Sequence, residues 1–254
     1  MQFKKRVKRQ LRSALTSLTT QTSNRLGFDL IERHKLRHPH RLLREALKHF
    51  EVDTTLDVGA NLGQFAGQLR ELGYSRRIVS FEPAPNAYEE ASRQAAEDPD
   101  WDVVNLALGA TDGTLELSVF PQSSLNTLLE INEFGAERYS HATGTVSVQV
   151  ATLDDLMREQ RFGLDSARSI FLKMDTQGFD LEVLKGAKKT LEKVTIIQTE
   201  ASVVPIYKGM PTYIESMQVL DSLGFAPAAF WPVSRAQGLE LVEFDLISVR
   251  QQPG

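Results

Sequence analysis

Residues 56–69 read LDVGANLGQFAGQL. An apolar run ends at an acid, two glycines four apart flank an asparagine, and a helical pattern follows. A turn this rich in small residues lets the backbone come close to something. A dinucleotide-binding turn needs G-x-G-x-x-G, yet counting from Gly59 the next two glycine positions hold Asn61 and Gln64. A phosphate loop would end in Gly-Lys-Ser/Thr, and that ending is missing too. What stands here is D-x-G-x-N-x-G, with Asp57 on the strand itself. An acid beside the turn repels a pyrophosphate and suits a phosphate-free ligand with a cationic end. Taken alone, the turn has a competing but weaker reading as a tight left-handed corner before a helix.

Working outward, strand-like runs alternate with helical patterns from Thr54 on. TTLDV, RIVSFEP, WDVVNLALG, SIFLKMD and TIIQTE read as strands; QFAGQLREL, NAYEEASRQAAED, DLEVLKGAKKTLEKV and PTYIESMQVLDSLG read as helices, the last closed by Gly224. Between Thr111 and Val150, TLELSVF and TVSVQV alternate around a polar segment, which predicts a strand pair carrying a substrate-facing insertion. FAPAAFWPV and LVEFDLISVR close the chain as two strands. Repeated βα units predict an open, mostly parallel α/β sheet with helices on both faces, and the final pair adds an antiparallel strand at or near one edge. No repeat or low-complexity linker divides residues 51–254, so one domain is expected there.

Ligands of such sheets bind beyond the carboxyl ends of the strands. The strand-ending residues are Asp57 to Gly63, Glu82, Asn105 to Gly109, Asp175 and Glu200. Glu82 follows Asp57 by 25 residues, near the roughly 20 expected of an acid that grips a ribose diol. A cationic amino-acid end plus a ribose describes S-adenosylmethionine.

DVGANLGQF, VSFEPAPNAY, NLALG and LKMDTQGFDLEVLKGA, in that order, resemble the FkbM-type family of S-adenosylmethionine-dependent methyltransferases. The similarity runs over roughly residues 54–250. It implies a Rossmann-like, class I methyltransferase sheet of seven strands and O-methylation of a hydroxyl on a sugar, glycan or secondary metabolite. Carried over by residue, Asp57, Gly59, Ala60, Asn61 and Gly63 would surround the methionine end of the cofactor. Glu82 with Pro83 would hold the ribose, Asn105, Leu106 and Ala107 would border the adenine, and Asp175 would sit beside the reactive methyl. Many relatives carry an acid where this chain has Gln177, which removes one base or ligand.

Methyl transfer to an alcohol needs positioning and a base for the hydroxyl proton. Asp175 and Glu200 end strands expected to be neighbours, so either is a candidate base, and a divalent cation between them is left open without being predicted. His141, the sole histidine after position 50, is a third candidate from within the insertion. Lys173, two residues before Asp175, is expected to pair with Asp175 or Glu200. Ser123 to Thr127 could line the acceptor site, and Tyr207, Phe230 and Trp231 could stack on a sugar; plain loop and core roles compete with both readings.

Cysteine is absent from the 254 residues, which excludes disulfides, thiolate zinc sites and a cysteine nucleophile. Residues 1–50 hold 13 Lys+Arg against 3 Asp+Glu, and the remainder holds 16 against 30. A basic N-terminal helical extension is therefore expected on an acidic body. Phe3, Val7, Leu11, Ala14, Leu15 and Leu18 share a helical face, and residues 1–20 are set either to pack on the body or to touch an anionic membrane. A cytoplasmic, at most peripherally membrane-bound protein is expected. A nucleic-acid ribose 2′-O-methyltransferase and a catalytically silent scaffold remain alternatives, the first weakened by the acidic body. A nicotinamide oxidoreductase is disfavoured by the missing glycines. Oligomeric state is not legible.

Overall fold

A computed structural model describes residues 39–139, 141–236 and 238–251. The Phe3–Leu18 stretch, with its expected helix and membrane contact, lies outside them. Leu43 onward forms one compact unit.

The principal sheet contains β1 (Thr54–Val58), β2 (Arg77–Phe81), β3 (Trp101–Val104), β7 (Ile170–Met174), β8 (Val194–Ser202), β9 (Phe225–Arg235) and β10 (Leu241–Arg250). Among the described residues its order is β3-β2-β1-β7-β8-β10-β9. β10 runs antiparallel to both of its neighbours and is the penultimate strand. Strand order reverses between β1 and β7, where Asp57 pairs in register with Lys173.

Because side chains alternate across a sheet, each strand feeds two cores. Leu56, Val79, Leu172, Ile197 and Leu246 point to one face. There they meet helix α5 (Leu153–Arg158), α6 (Asp180–Lys185) and α7 (Tyr213–Ser222) through Leu156, Val183 and Leu220. Ile78, Phe171, Ile196 and Ile247 point to the other, against Leu43 and Leu47 of α1 (Pro39–His49) and Leu69 of α2 (Gln64–Glu71). Helix α3 (Pro85–Ala95) starts with its proline in the first turn, where no amide donor is needed.

Two expected elements are corrected. WDVVNLALG is not one strand: β3 stops at Val104, and β4 (Ala107–Leu108) joins a separate sheet of order β4-β6-β5, with β5 at Gly113–Val119 and β6 at Gly144–Ala151. The break comes where Asn105 turns its side chain onto the backbone carbonyls of Glu82 and Pro83. DLEVLKGAKKTLEKV is not one helix either. It stops at Lys185, and a 3₁₀ turn follows at Thr190–Lys193, because Asp154 accepts the amides of Lys189 and Thr190.

The expected strand pair is present as β5 and β6. Its insertion carries a 3₁₀ turn at Ser123–Leu125 and α4 (Glu133–Arg138). Leu117, Val148 and Val150 of the small sheet pack on Ala84 and Ala87. Farther along, Phe120 and Leu125 pack on Ile206, Tyr207 and Met210, beyond β8. The insertion thus arches across the carboxyl ends of the parallel strands.

Candidate active site

The D-x-G-x-N-x-G turn is built by its neighbours. Gly59 and Ala60 donate their amides to Phe81 O at 3.0 and 3.1 Å. Gly59 has φ +74°, and a Cβ there would lie 2.0 Å from Asp175 O, so only glycine lets β1 and β7 end side by side. Asn61, also at positive φ, donates its amide to Glu82 Oε2 at 2.7 Å. Gly63, at φ +87°, rests on the Trp101 ring. Each non-standard backbone angle therefore answers a contact.

Asp57 differs from expectation. Its carboxylate is fully buried, lies 2.9 Å from Lys173 Nζ and accepts from Ser80 Oγ at 3.2 Å. It does not line the cavity described below. Lys173 Nζ also donates to Gly59 O at 3.0 Å and lies 3.7 Å from Asp175. Burial opposes its charge, but the carboxylates of Asp57 and Asp175 outweigh that and raise its pKa. Asp57 thus shapes the turn through Lys173, while Lys173 ties the turn to Asp175.

A cavity of about 400 Å³ opens beyond the strand ends, within the size range of small-molecule sites. Of the residues expected at a cofactor, Gly59, Asn61, Glu82, Pro83, Leu106, Ala107 and Asp175 line it, while Ala60, Gly63 and Asn105 are not lining residues. Glu82 is 5% exposed and accepts the amides of Asn61 and Ala84, the latter at 2.9 Å. Burial raises its pKa, partly offset by those two donors. Asn61 Oδ1 is buried without a hydrogen-bond partner. Asn105 is exposed and braces the Glu82–Pro83 backbone with its amide.

At the other end, Gln177 joins the two candidate bases. Its Nε2 donates to Glu200 Oε2 at 2.7 Å and lies 3.4 Å from Asp175 Oδ1. Its Oε1 stands 3.0 Å from the Tyr207 hydroxyl. Far from being a lost function, this position holds Asp175 and Glu200 together. Glu200 has its pKa raised well above the ordinary value by burial, then by Asp175, Glu243, Asp245 and Asp180. Asp180, buried beneath, accepts from Thr176 and Thr199.

Ser123, Ser124, Leu125 and Asn126 line this end, as expected of the insertion. His141 does not: it is exposed and is not among the lining residues. Tyr207, Phe230 and Trp231 are not lining residues; Tyr207 is buried in the insertion core and Phe230 packs on Phe244. Tyr139, Ser234 and Glu243 line the cavity although sequence reasoning does not single them out. Only Glu243 leaves a trace in the sequence, as an acid inside the apolar run LVEFDLISVR.

Among the described residues no group of three or more His, Cys, Asp or Glu side chains is arranged to hold a metal ion. None of their helices is long and apolar enough to cross a membrane. The methyltransferase FkbM domain profile matches residues 57–227, from the acid of the turn to the start of β9. The chain belongs to the FkbM methyltransferase family. Three curated proteins resemble it. The methyltransferase sdnD of Sordaria araneosa is 33% identical over 155 residues, 52% of this chain and 59% of that protein. The 2-O-methyltransferase NoeI of Sinorhizobium fredii is 28% identical over 61% of this chain and 65% of its own. The hexuronic acid methyltransferase AglP of Haloferax volcanii is 25% identical over 67% and 66%. This FkbM chain therefore matches about three fifths to two thirds of the length of those relatives.

Proposed function

We propose that this chain is an S-adenosylmethionine-dependent O-methyltransferase acting on a hydroxyl of a sugar, glycan or secondary metabolite. The observation that carries the reading is one cavity into which Glu82, ending β2, and Glu200, near the end of β8, both open, with Asp175 after the intervening β7. The names of two relatives, a 2-O-methyltransferase and a hexuronic acid methyltransferase, support a hydroxyl-bearing acceptor.

The residues present fit the cofactor. Asn61 Oδ1, a buried acceptor without a partner, suits an ammonium. Glu82 keeps a free lone pair on each oxygen for ribose hydroxyls, and Leu106 and Ala107 offer an apolar wall to a purine. When bound, S-adenosylmethionine supplies an electrophilic methyl on a sulfonium.

The chain's own part is to hold the acceptor oxygen in line and take its proton. Glu200 is the base: Gln177 fixes its Oε2, and a part-buried carboxylate with a raised pKa takes up a hydroxyl proton near neutral pH better than an exposed one. Asp175, half-exposed and fixed by Lys173 and Gln177, orients the acceptor beside it. Serine and asparagine side chains of the insertion supply further hydrogen-bonding groups.

Calorimetry with S-adenosylmethionine and with NAD tests the cofactor. Tight binding of the first and none of the second is expected; binding of NAD alone overturns the reading. Transfer of labelled methyl from the cofactor to a panel of glycans and alcohols then tests the reaction.

A further inference from the structure

We propose that the acceptor is an uncharged polyol, held through a neighbouring hydroxyl by Glu243, and that the site excludes acceptors bearing a carboxylate or phosphate beside the reactive hydroxyl. This rests on the methyltransferase reading above and narrows its substrate class.

The first observation is the unmatched oxygen of Glu243. The residue is 5% exposed, lines the cavity, and spends Oε2 on Ser234 Oγ at 2.9 Å. Its Oε1 is buried with no hydrogen-bond partner. A buried acceptor left unpaired costs free energy comparable to a lost hydrogen bond. A hydroxyl donor from a bound ligand satisfies it; a second anion does not.

The second observation is where Glu243 stands. It pairs across β10 and β8 with Ser202, and Asp245 pairs with Glu200. Glu243 and Glu200 are therefore diagonal neighbours on one face, about 7–8 Å apart along the backbone, and both line the same cavity. An acceptor whose reactive hydroxyl meets Glu200 presents an adjacent hydroxyl toward Glu243. A polyol ring has such hydroxyl pairs, and an isolated alcohol does not.

The third observation is charge. Among the described residues the lining includes Glu82, Asp175, Glu200 and Glu243 and no lysine, arginine or histidine. Neither Lys173 nor Arg138 is part of the wall, and both are held by protein groups. Lys173 Nζ is held by Asp57 and Gly59 O. The Arg138 guanidinium donates to the Tyr139 hydroxyl and Arg235 O. An anionic acceptor would meet four carboxylates and no cationic side chain in the wall, and like charges at short range in a partly buried site oppose binding.

The test pairs neutral glycosides with their C6-carboxylate counterparts: glucoside with glucuronide, galactoside with galacturonide, alongside a deoxyhexoside and inositol. Labelled-methyl transfer is measured for each in full-length protein whose cofactor binding is confirmed by calorimetry. Transfer to at least one neutral polyol is expected, with kcat/KM tenfold or more above its uronide. Glu243→Gln should raise KM for the neutral acceptor with little change in kcat, and Glu243→Lys should narrow the neutral-to-uronide gap. A uronide used as well as its neutral partner overturns the inference, as does failure to methylate any neutral polyol by protein that binds the cofactor. Protein that binds no S-adenosylmethionine instead sinks the underlying methyltransferase reading.

Discussion

Gln177 Nε2 stands 2.7 Å from Glu200 Oε2, while the carbonyl end of the same amide meets the Tyr207 hydroxyl at 3.0 Å. The carboxylate of Glu200 orients the amide, with its donor facing Glu200 and Asp175, while the Tyr207 hydroxyl also meets Leu125 O at 3.0 Å. Gln177→Glu replaces that donor with a third negative charge, which pushes the Glu200 pKa further up. The rising limb of kcat/KM against pH should move to higher pH. Activity at pH 7 should then drop on the order of tenfold for every pH unit the limb travels. A profile unmoved on the pH axis would show that Glu200 is not the base.

Lys173 is buried between Asp57 and Asp175. Removing it leaves Asp57 charged inside the sheet, so Lys173→Met should cost about 3–5 kcal/mol, the range for breaking one side of a buried pair. The double change Lys173→Met with Asp57→Asn should regain part of it, because no lone charge is left behind. Urea denaturation midpoints of the three proteins measure this. Equal stability of wild type and single mutant would mean that the pair contributes nothing.

Glu82 accepts two backbone amides and faces the cavity. Glu82→Ala should weaken S-adenosylmethionine binding tenfold or more, on the order of 1.4 kcal/mol. Calorimetry at matched protein concentration reads the change, and unaltered affinity removes the ribose role.

Burial raises the pKa of Glu200, Glu243 and Asp245, the last to about 6. In the unfolded chain these carboxyls ionise near pH 4. Above that value the unfolded state holds fewer of their protons than the folded state, so stability falls as pH rises. For Asp245 the loss should develop between about pH 4 and 6 and then level off. Melting temperatures across pH 4–8 should show the decline, and Asp245→Asn should flatten it. A slope identical in the variant would place the effect elsewhere.

The parallel strands and the strand-ending acids were legible because their apolar runs are short, continuous and bounded by turn residues. The boundaries that failed did so through tertiary contacts: Asn105 bonding to the previous strand end, and Asp154 catching amides across a loop. Asp57 shows a deeper limit. Its spacing marked the turn correctly, but its partner Lys173 lies more than a hundred residues away, and only the β1–β7 register brings the two side chains together as a buried pair. Glu243 and Ser234 come from the last two strands, whose approach to the site depends on β10 inserting beside β8.

The small sheet leaves and rejoins the body at one place. Gly109 donates its amide to Ala151 O at 3.0 Å, and Thr152 donates to Asp112 Oδ1 at 2.9 Å, so entry and exit are stapled together. The chain between them contributes Gln122 to Asn126 to the acceptor wall. Asp175, Glu200 and the D-x-G-x-N-x-G turn all lie outside it. A closed stem of this kind makes residues 110–150 a cassette. Exchanging it between relatives should redirect which molecule is methylated while leaving the cofactor grip and the proton acceptor in place.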